Sequence, residues 1–344
     1  MRCLRHLSAF AALALAILGA IAAKADSISD FYKGKTVAVV VGFSSGGIYD
    51  IWARLVAQHL SKHISGAPNV VVQNMAGAGG LTAVNYVYNT APQDGTIISA
   101  TSNLNPFTPL LGIKEARFDA TKFQWLGSPT QDVALLVLWH TVPVETLNDL
   151  KTHEVILGST SPDSVSSFYG RLIAEIFKAK FKFVYGFPGL ADTDLAIERG
   201  EVDGHPSVFW SHLVAAKPDW LKDKKVKLLL QYGAKPRPEL PDVPYAQKLP
   251  MSPADKELFD VSMAPLALGY PYMIGPGVPA ERASALRQAL IDTFADPDFI
   301  ADAKKQGLEV DPVPAAGMQK TVAGAYNAPK PILDRLLALY TATQ

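Results

Sequence analysis

Cysteine is almost missing from this chain. Of 344 residues only Cys3 is one, and it precedes the apolar stretch Leu7–Ala22. The remainder therefore has no disulfide, no thiol nucleophile and no thiolate metal ligand. A lipid-anchored protein would carry a cysteine just after the apolar stretch, and none stands there. The chain also lacks any run of six or more basic residues, which argues against nucleic acid as a partner. Its 32 Lys and Arg balance 32 Asp and Glu, and setting aside Arg2, Arg5 and Lys24 puts the acids three ahead. No apolar run long enough to span a bilayer comes after residue 22.

The first residues form a unit of their own. Arg2, Arg5 and His6 precede the apolar run, and Ala23-Lys24-Ala25 offers a small-x-small cleavage site. That pattern predicts a secretory signal peptide over residues 1–25, cleaved after Ala25, and an exported mature chain. The length suits two domains of about 150 residues each.

Thr36–Arg54 organises the rest of the chain. Thr36 to Phe43 is a β-branched, apolar run. Ser44, Ser45, Gly46 and Gly47 interrupt it, and then Ile48, Ile51, Trp52, Leu55, Val56 and Leu60 recur at helical spacing. A strand feeds a helix through a glycine-rich turn. The first N–H groups of such a helix lack partners, and its dipole adds positive character there. A carboxylate or phosphate suits that place. None of the first three turns carries Lys or Arg, so neutral donors must hold the anion.

The pattern recurs. Asn69–Gln73 reads as a strand ending in the turn Asn74–Gly80, and Leu81, Val84, Val87 and Tyr88 open a helix. Thr96–Ala100 reads as a third strand, ending in Thr101-Ser102-Asn103. Trp125–Ser128 and Val133–Leu138 are strand-like, and Pro143–Asp149 reads as a short helix start. A second unit comes next, with strands at Val155–Gly158, Phe181–Tyr185, Asp203–Val208 and Lys227–Tyr232. Its loops hold Ser159–Ser164 and Gly186-Phe187-Pro188-Gly189. Arg237–Pro244 is a proline-dense surface connection, and Leu266–Ile274 is apolar enough to carry the chain back to the first unit. Helices are expected from Pro279, from Pro297 and over Ile332–Tyr340. Strand–helix alternation predicts α/β units whose loops gather at the carboxyl ends of the strands, where such folds bind ligands.

Taken in order, these turns resemble the periplasmic solute receptors of tripartite tricarboxylate transporters, the Bug or TctC type. The matching pieces are Phe43, Gly46, Gly47 and Asp50; Asn74 to Gly80; Pro92, Asp94, Gly95 and Thr96. The Ser-rich loop after Leu157, Tyr185 with Gly189, Gly200 to Asp203 and Leu240 to Pro244 complete them. Ser45 stands where proline is frequent in that family, and His205-Pro206-Ser207 departs from its usual residues.

The resemblance implies a type II-like periplasmic binding protein fold. Each lobe would be a mostly parallel sheet flanked by helices, joined by two hinge strands. Lobe 1 is expected over 26–130 plus 266–344, and lobe 2 over 131–265. A small carboxylate, a dicarboxylate or an aromatic one, would meet Phe43, Ser44, Ser45, Gly46, Gly47, Ala78 and Gly79, with Asp50 ordering the turn. Thr160, Ser161, Ser166, Pro188, Gly189 and Asp203 would face it from the other lobe. Tyr49, Thr101, Ser102, Asn103, Phe187 and Ser207 sit in the same loops and join the expected ligand set. The partner implied is a pair of membrane permease subunits. No catalysis, cofactor or metal is implied, and the receptor is expected to be a monomer in the periplasm.

Competing readings attach to single motifs. Gly42–Gly46 fits G-x-S-x-G, which would make Ser44 the nucleophile of an exported hydrolase, but no oxyanion loop accompanies it. Gly77–Gly80 falls short of a dinucleotide turn. His59 and His63 lie four apart on a helix without a third ligand, so a solvated polar face is expected. Trp52 and Trp125 are expected in the core, and Tyr49 at the cleft mouth or capping the turn. A sensor signalling to a membrane kinase would use the same cleft as a transport receptor.

Overall fold

The computed structural model describes residues 28–341 apart from Asp163 and Ala234, so the expected signal peptide lies outside the described residues. β1 (Thr36–Val41) is buried at every position but its first, as a strand covered on both faces should be. It runs parallel to β2 (Asn69–Asn74) on one side and β3 (Ile97–Ala100) on the other. β10 (Tyr272–Ile274) pairs antiparallel with β3 and with β4 (Gln124–Gly127), giving the order β2-β1-β3-β10-β4.

The second sheet repeats this plan. Its strands are β5 (Ala134–Trp139), β6 (Val155–Gly158), β7 (Phe181–Val184), β8 (Gly204–Phe209) and β9 (Val226–Tyr232), in the order β7-β6-β8-β5-β9. β6 is parallel to β7 and β8, while β5 is antiparallel to β8 and β9. Each sheet thus has four strands in one sense and one reversed. The reversed strand is the one the chain makes on arriving from the other sheet.

The helices are α1 (Ile48–Leu60), α2 (Leu81–Asn89), α3 (Val165–Phe177), α4 (Leu190–Glu198), α5 (Trp210–Ala216) and α6 (Pro218–Lys222), then α7 (Pro253–Ser262). The C-terminal part adds α8 (Ala280–Ala295), α9 (Pro297–Lys305), α10 (Ala315–Tyr326) and α11 (Lys330–Thr341). Trp52 and Trp125 are buried in the core. α11 packs against both halves of the molecule: against Asn105–Leu111 after β3, and against α3 and α7. Between Pro143 and Asp149 there is no helix. The Asp149 carboxylate accepts from the N–H groups of Glu145 and Thr146 at 3.1 and 2.8 Å and closes a turn instead.

The two passages between sheets lie side by side. Tyr270 N–H donates to Ser128 Oγ at 2.9 Å, and Gln131 Nε2 to Ala267 O at 3.1 Å. Gly269 has φ +61°, and a Cβ there would stand 1.8 Å from Thr130 O, so only glycine permits this approach. Asp132, on the first passage, accepts from Tyr270 OH at 2.7 Å and from Ser211 N at 3.1 Å. Burial pushes the Asp132 carboxyl above its usual range.

His59 and His63 are not a solvated face. His59 is buried and its Nε2 meets Asp302 at 3.0 Å; His63 Nε2 meets Asp296 at 2.8 Å. Lys62 also pairs with Asp296, so this end of α1 is fastened to α9 and its cap. An apolar neighbour, Phe299, meets the His59 ring edge-on, which explains why that histidine is covered.

Candidate functional site

Gly47 caps α1 with extended backbone and no side-chain hydrogen bond of its own. The turn before it is held by Asp50, whose Oδ2 accepts from Gly46 N at 2.9 Å and from Arg54 Nε at 2.8 Å. Asn74 Nδ2, at the end of β2, bridges Asp50 Oδ1 and Phe43 O, each at 2.9 Å. Burial opposes ionisation of Asp50, but the bonds from Arg54, Gly46 and Asn74 outweigh it and hold the carboxyl below its usual range.

From the other half, α3 begins at Ser164, whose Oγ accepts from Ser167 N. Ser159, Ser164, Ser166 and Ser167 form a cluster of hydroxyls, with Ser159 Oγ 2.7, 2.6 and 2.7 Å from the other three. The beginnings of α1 and α3 line one cavity between the sheets. Its walls are Phe43, Gly47, Ile48, Tyr49, Thr160, Ser164, Val165, Ser166, Leu190, Ser207, Val208 and Phe209. Among the described residues no wall residue is charged. Thr160 Oγ1 is buried without a hydrogen-bond partner among the described residues, an open donor in the wall.

An aromatic stack forms one side. The Phe43 and Tyr49 rings stack at 5.2 Å, and Tyr270 meets both Tyr49 and Phe209 edge-on at 5.2 Å. The Tyr49 ring lines the cavity, and its hydroxyl, rather than capping the turn before α1, accepts from Asn103 N at 3.1 Å in the loop after β3. Burial pushes its phenol above the usual range.

The halves are in contact across the cleft. Ser44 Oγ donates to Asp192 Oδ2 at 2.6 Å, and Ser44 N lies 3.4 Å from Pro188 O. A Cβ on Gly189 would come within 2.4 Å of Ser44 Oγ, and one on Gly79 within 2.8 Å of Ser161 Oγ.

Of the expected ligand residues, Phe43, Gly47, Tyr49, Thr160, Ser166 and Ser207 line the cavity. Ser44, Gly79, Ser161, Pro188 and Gly189 sit in the contact around it. Ser45, Gly46 and Ala78 are exposed at the rim. Thr101, Ser102 and Asn103 are fully buried and lie behind the first turn, where Asn105 Nδ2 donates to Thr101 Oγ1. Phe187 packs on Gly158 inside its own half. Asp203 precedes β8 at the end opposite Ser207–Phe209, and its carboxylate accepts from Ile156 N at 2.7 Å. It ties β8 to β6 and does not reach the cavity. Unforeseen wall residues are Ser164 and the apolar Ile48, Val165, Leu190, Val208 and Phe209, the last five reading as ordinary core.

Two sheets of like topology, two passages and a cavity between them define the two-lobe fold of periplasmic binding proteins. No protein-family model matches the chain. Its sequence is 27% identical over 272 residues to a UPF0065 protein of Cupriavidus necator encoded in the gbd 5′ region, covering 71% of this chain and 74% of that one. Among solved structures it is similar to the periplasmic binding protein BugD, with TM-score 0.70, 19% identity, and 90% and 98% of the two chains covered. It is similar also to R. palustris Rpa4515 with adipate (TM-score 0.69, 20% identity, 89% and 97% covered) and to MatC from Rhodopseudomonas palustris with bound malate (TM-score 0.69, 19% identity, 89% and 99% covered). In sequence and fold together, the chain resembles the Bug and TctC type of solute-binding protein.

Proposed function

We propose that this chain is an exported solute receptor that closes its two lobes on the carboxylate of a small molecule. One observation carries the reading: the N-terminal ends of α1 and α3, one from each half, flank one cavity whose described wall residues include no cation. N–H groups there have no partners within their own helices and the dipoles favour an anion. The Thr160 hydroxyl adds a donor. Each such bond contributes about 1 kcal/mol, roughly twice that to a charged acceptor, which suits reversible capture.

Closure brings donors from both halves onto one ligand, and the closed form is what a partner would recognise. The partner in this reading is the permease pair of a tripartite tricarboxylate-type transporter, and the receptor works as a monomer in the periplasm after cleavage behind Ala25. The lobes are assigned as 26–130 plus 266–344, and 131–265. No catalytic role is assigned. Ser44 meets a carboxylate, Asp192, rather than the histidine that a hydrolase would need.

A thermal-shift screen on the mature chain tests the binding. Carboxylates should raise the melting temperature, and Thr160→Val should weaken the best of them about tenfold. A rise with neutral sugars and none with carboxylates refutes the proposal. Uptake of the labelled ligand should require both this protein and its permease.

A further inference from the structure

We infer that Asp192 limits the ligand to one negative charge, so that the receptor takes monocarboxylates with an apolar body and turns dicarboxylates away. The inference rests on the carboxylate reading of the cavity and narrows it.

Three helix beginnings face the contact between the halves: α1, α3 and α4. Two of them already have an anion from the chain itself. Asp50 sits in the first turn of α1 and takes the Gly46 N–H. Asp192 sits in the first turn of α4 and takes the Ser44 hydroxyl from the opposite half. At 2.6 Å this has the length of a hydrogen bond to an ionised carboxylate. Ser44 and Gly46, expected as ligand donors, are therefore engaged. What remains open is the inner end of α1, from Gly47 to Tyr49, and the start of α3, which has no acidic residue in its first turn. These two flank the same small space, so donors from both halves converge on one head group rather than on two.

The rest of the wall gives a second carboxylate nothing. Ile48, Val165, Leu190, Val208 and Phe209 are apolar, and among the described residues no Lys, Arg or His lines the cavity. Among the described residues no cation pairs with Asp192, and its charge is favoured only by the start of α4 and by the Ser44 hydroxyl. A diacid would bring a second negative charge toward Asp192, which stands partly exposed beside the cavity, two residues after the wall residue Leu190, and like charges repel.

Calorimetry on the mature chain decides this, with acids matched in skeleton: hexanoate against adipate, benzoate against terephthalate, and further pairs of the same design. The wild type should bind each monoacid at least about tenfold tighter than its diacid. Asp192→Asn should shrink that preference by about tenfold or more. Asp192→Ser should do the same, and the wild-type preference stands as a measurement even if neither variant folds. A wild type that prefers diacids, or a preference unchanged in a folded variant, overturns the inference alone. Failure of every acid in the panel to bind overturns the carboxylate reading and this inference with it.

Discussion

Gly189 and Ser44 approach so closely that a methyl group on residue 189 would push the Ser44 hydroxyl off Asp192 and crowd the contact between the halves. A Cβ on residue 189 would stand 2.4 Å from Ser44 Oγ and 3.3 Å from Ser44 N. The backbone of Gly189 is extended, so the requirement is one of space and not of conformation. Gly189→Ala should therefore lower ligand affinity by about tenfold or more while leaving the melting temperature of the unliganded protein nearly unchanged. Titration calorimetry beside a thermal melt separates the two effects. Asp194, two residues beyond Asp192, has a different task. Its oxygens meet His205 Nε2 at 2.8 Å and His212 Nε2 at 2.9 Å, all three side chains being buried. Burial opposes its charge, but the two histidines outweigh that and hold the carboxyl well below its usual range. Removing one member of such a group strands the others, and Asp194→Ala should cost about 3 kcal/mol or more in denaturant unfolding.

At the scale of elements, α1 does two jobs. Its first turn serves the cavity, and its last turn is fastened to α9 through His59 and Asp302, with Lys62 and His63 just beyond it holding Asp296. Lys62 first, then His63, hold the Asp296 carboxyl well below its usual range. A depressed carboxylate adds stability above its unfolded pKa of about 3.9, and that stability is lost as pH falls through the lower folded value. Melting temperature should therefore drop below about pH 4, and Asp296→Asn should flatten that dependence while lowering the midpoint at pH 7.

Much of this order was legible in the residues. β1, β2 and β3 are short apolar runs ending in glycine or small polar residues, and they lie within two residues of where the sequence puts them. α7 carried its own signal, Ser252 accepting from Asp255 N with Pro253 in the first turn, yet it was not anticipated. α10 buries only Met318 and Val322, too few for a periodic stripe. The reversed strands β5 and β10 leave no mark either, because strand direction is a property of pairing. In the site, hydroxyls and glycines announced the turns. Val165, Leu190 and Phe209 did not announce a cavity, since an apolar residue at an element's end looks the same whether it faces core or ligand. Asp192 was hidden for a similar reason: an acid in a helix's first turn is an everyday stabilising choice.

For the whole molecule, the decisive fact is that the chain's last helix belongs to neither half alone. Ile332 and Leu336 of α11 are buried. Leu333 and Leu336 stand between Leu104 and Phe107 on one side and Phe168 and Val261 on the other. Arg335 adds a bond to Asp255 at 2.8 Å. Leu336→Ala should reduce overall stability by about 2–5 kcal/mol, and should also weaken ligand binding several-fold although it lies outside the cavity. Affinity and melting temperature measured together would show both.

α11 thus ties the two halves together outside the cavity wall. Any movement of one half against the other must disturb oily contacts that α11 makes with both. On the proposed receptor reading, such a helix lets substitutions far from the cavity alter how firmly a ligand is held.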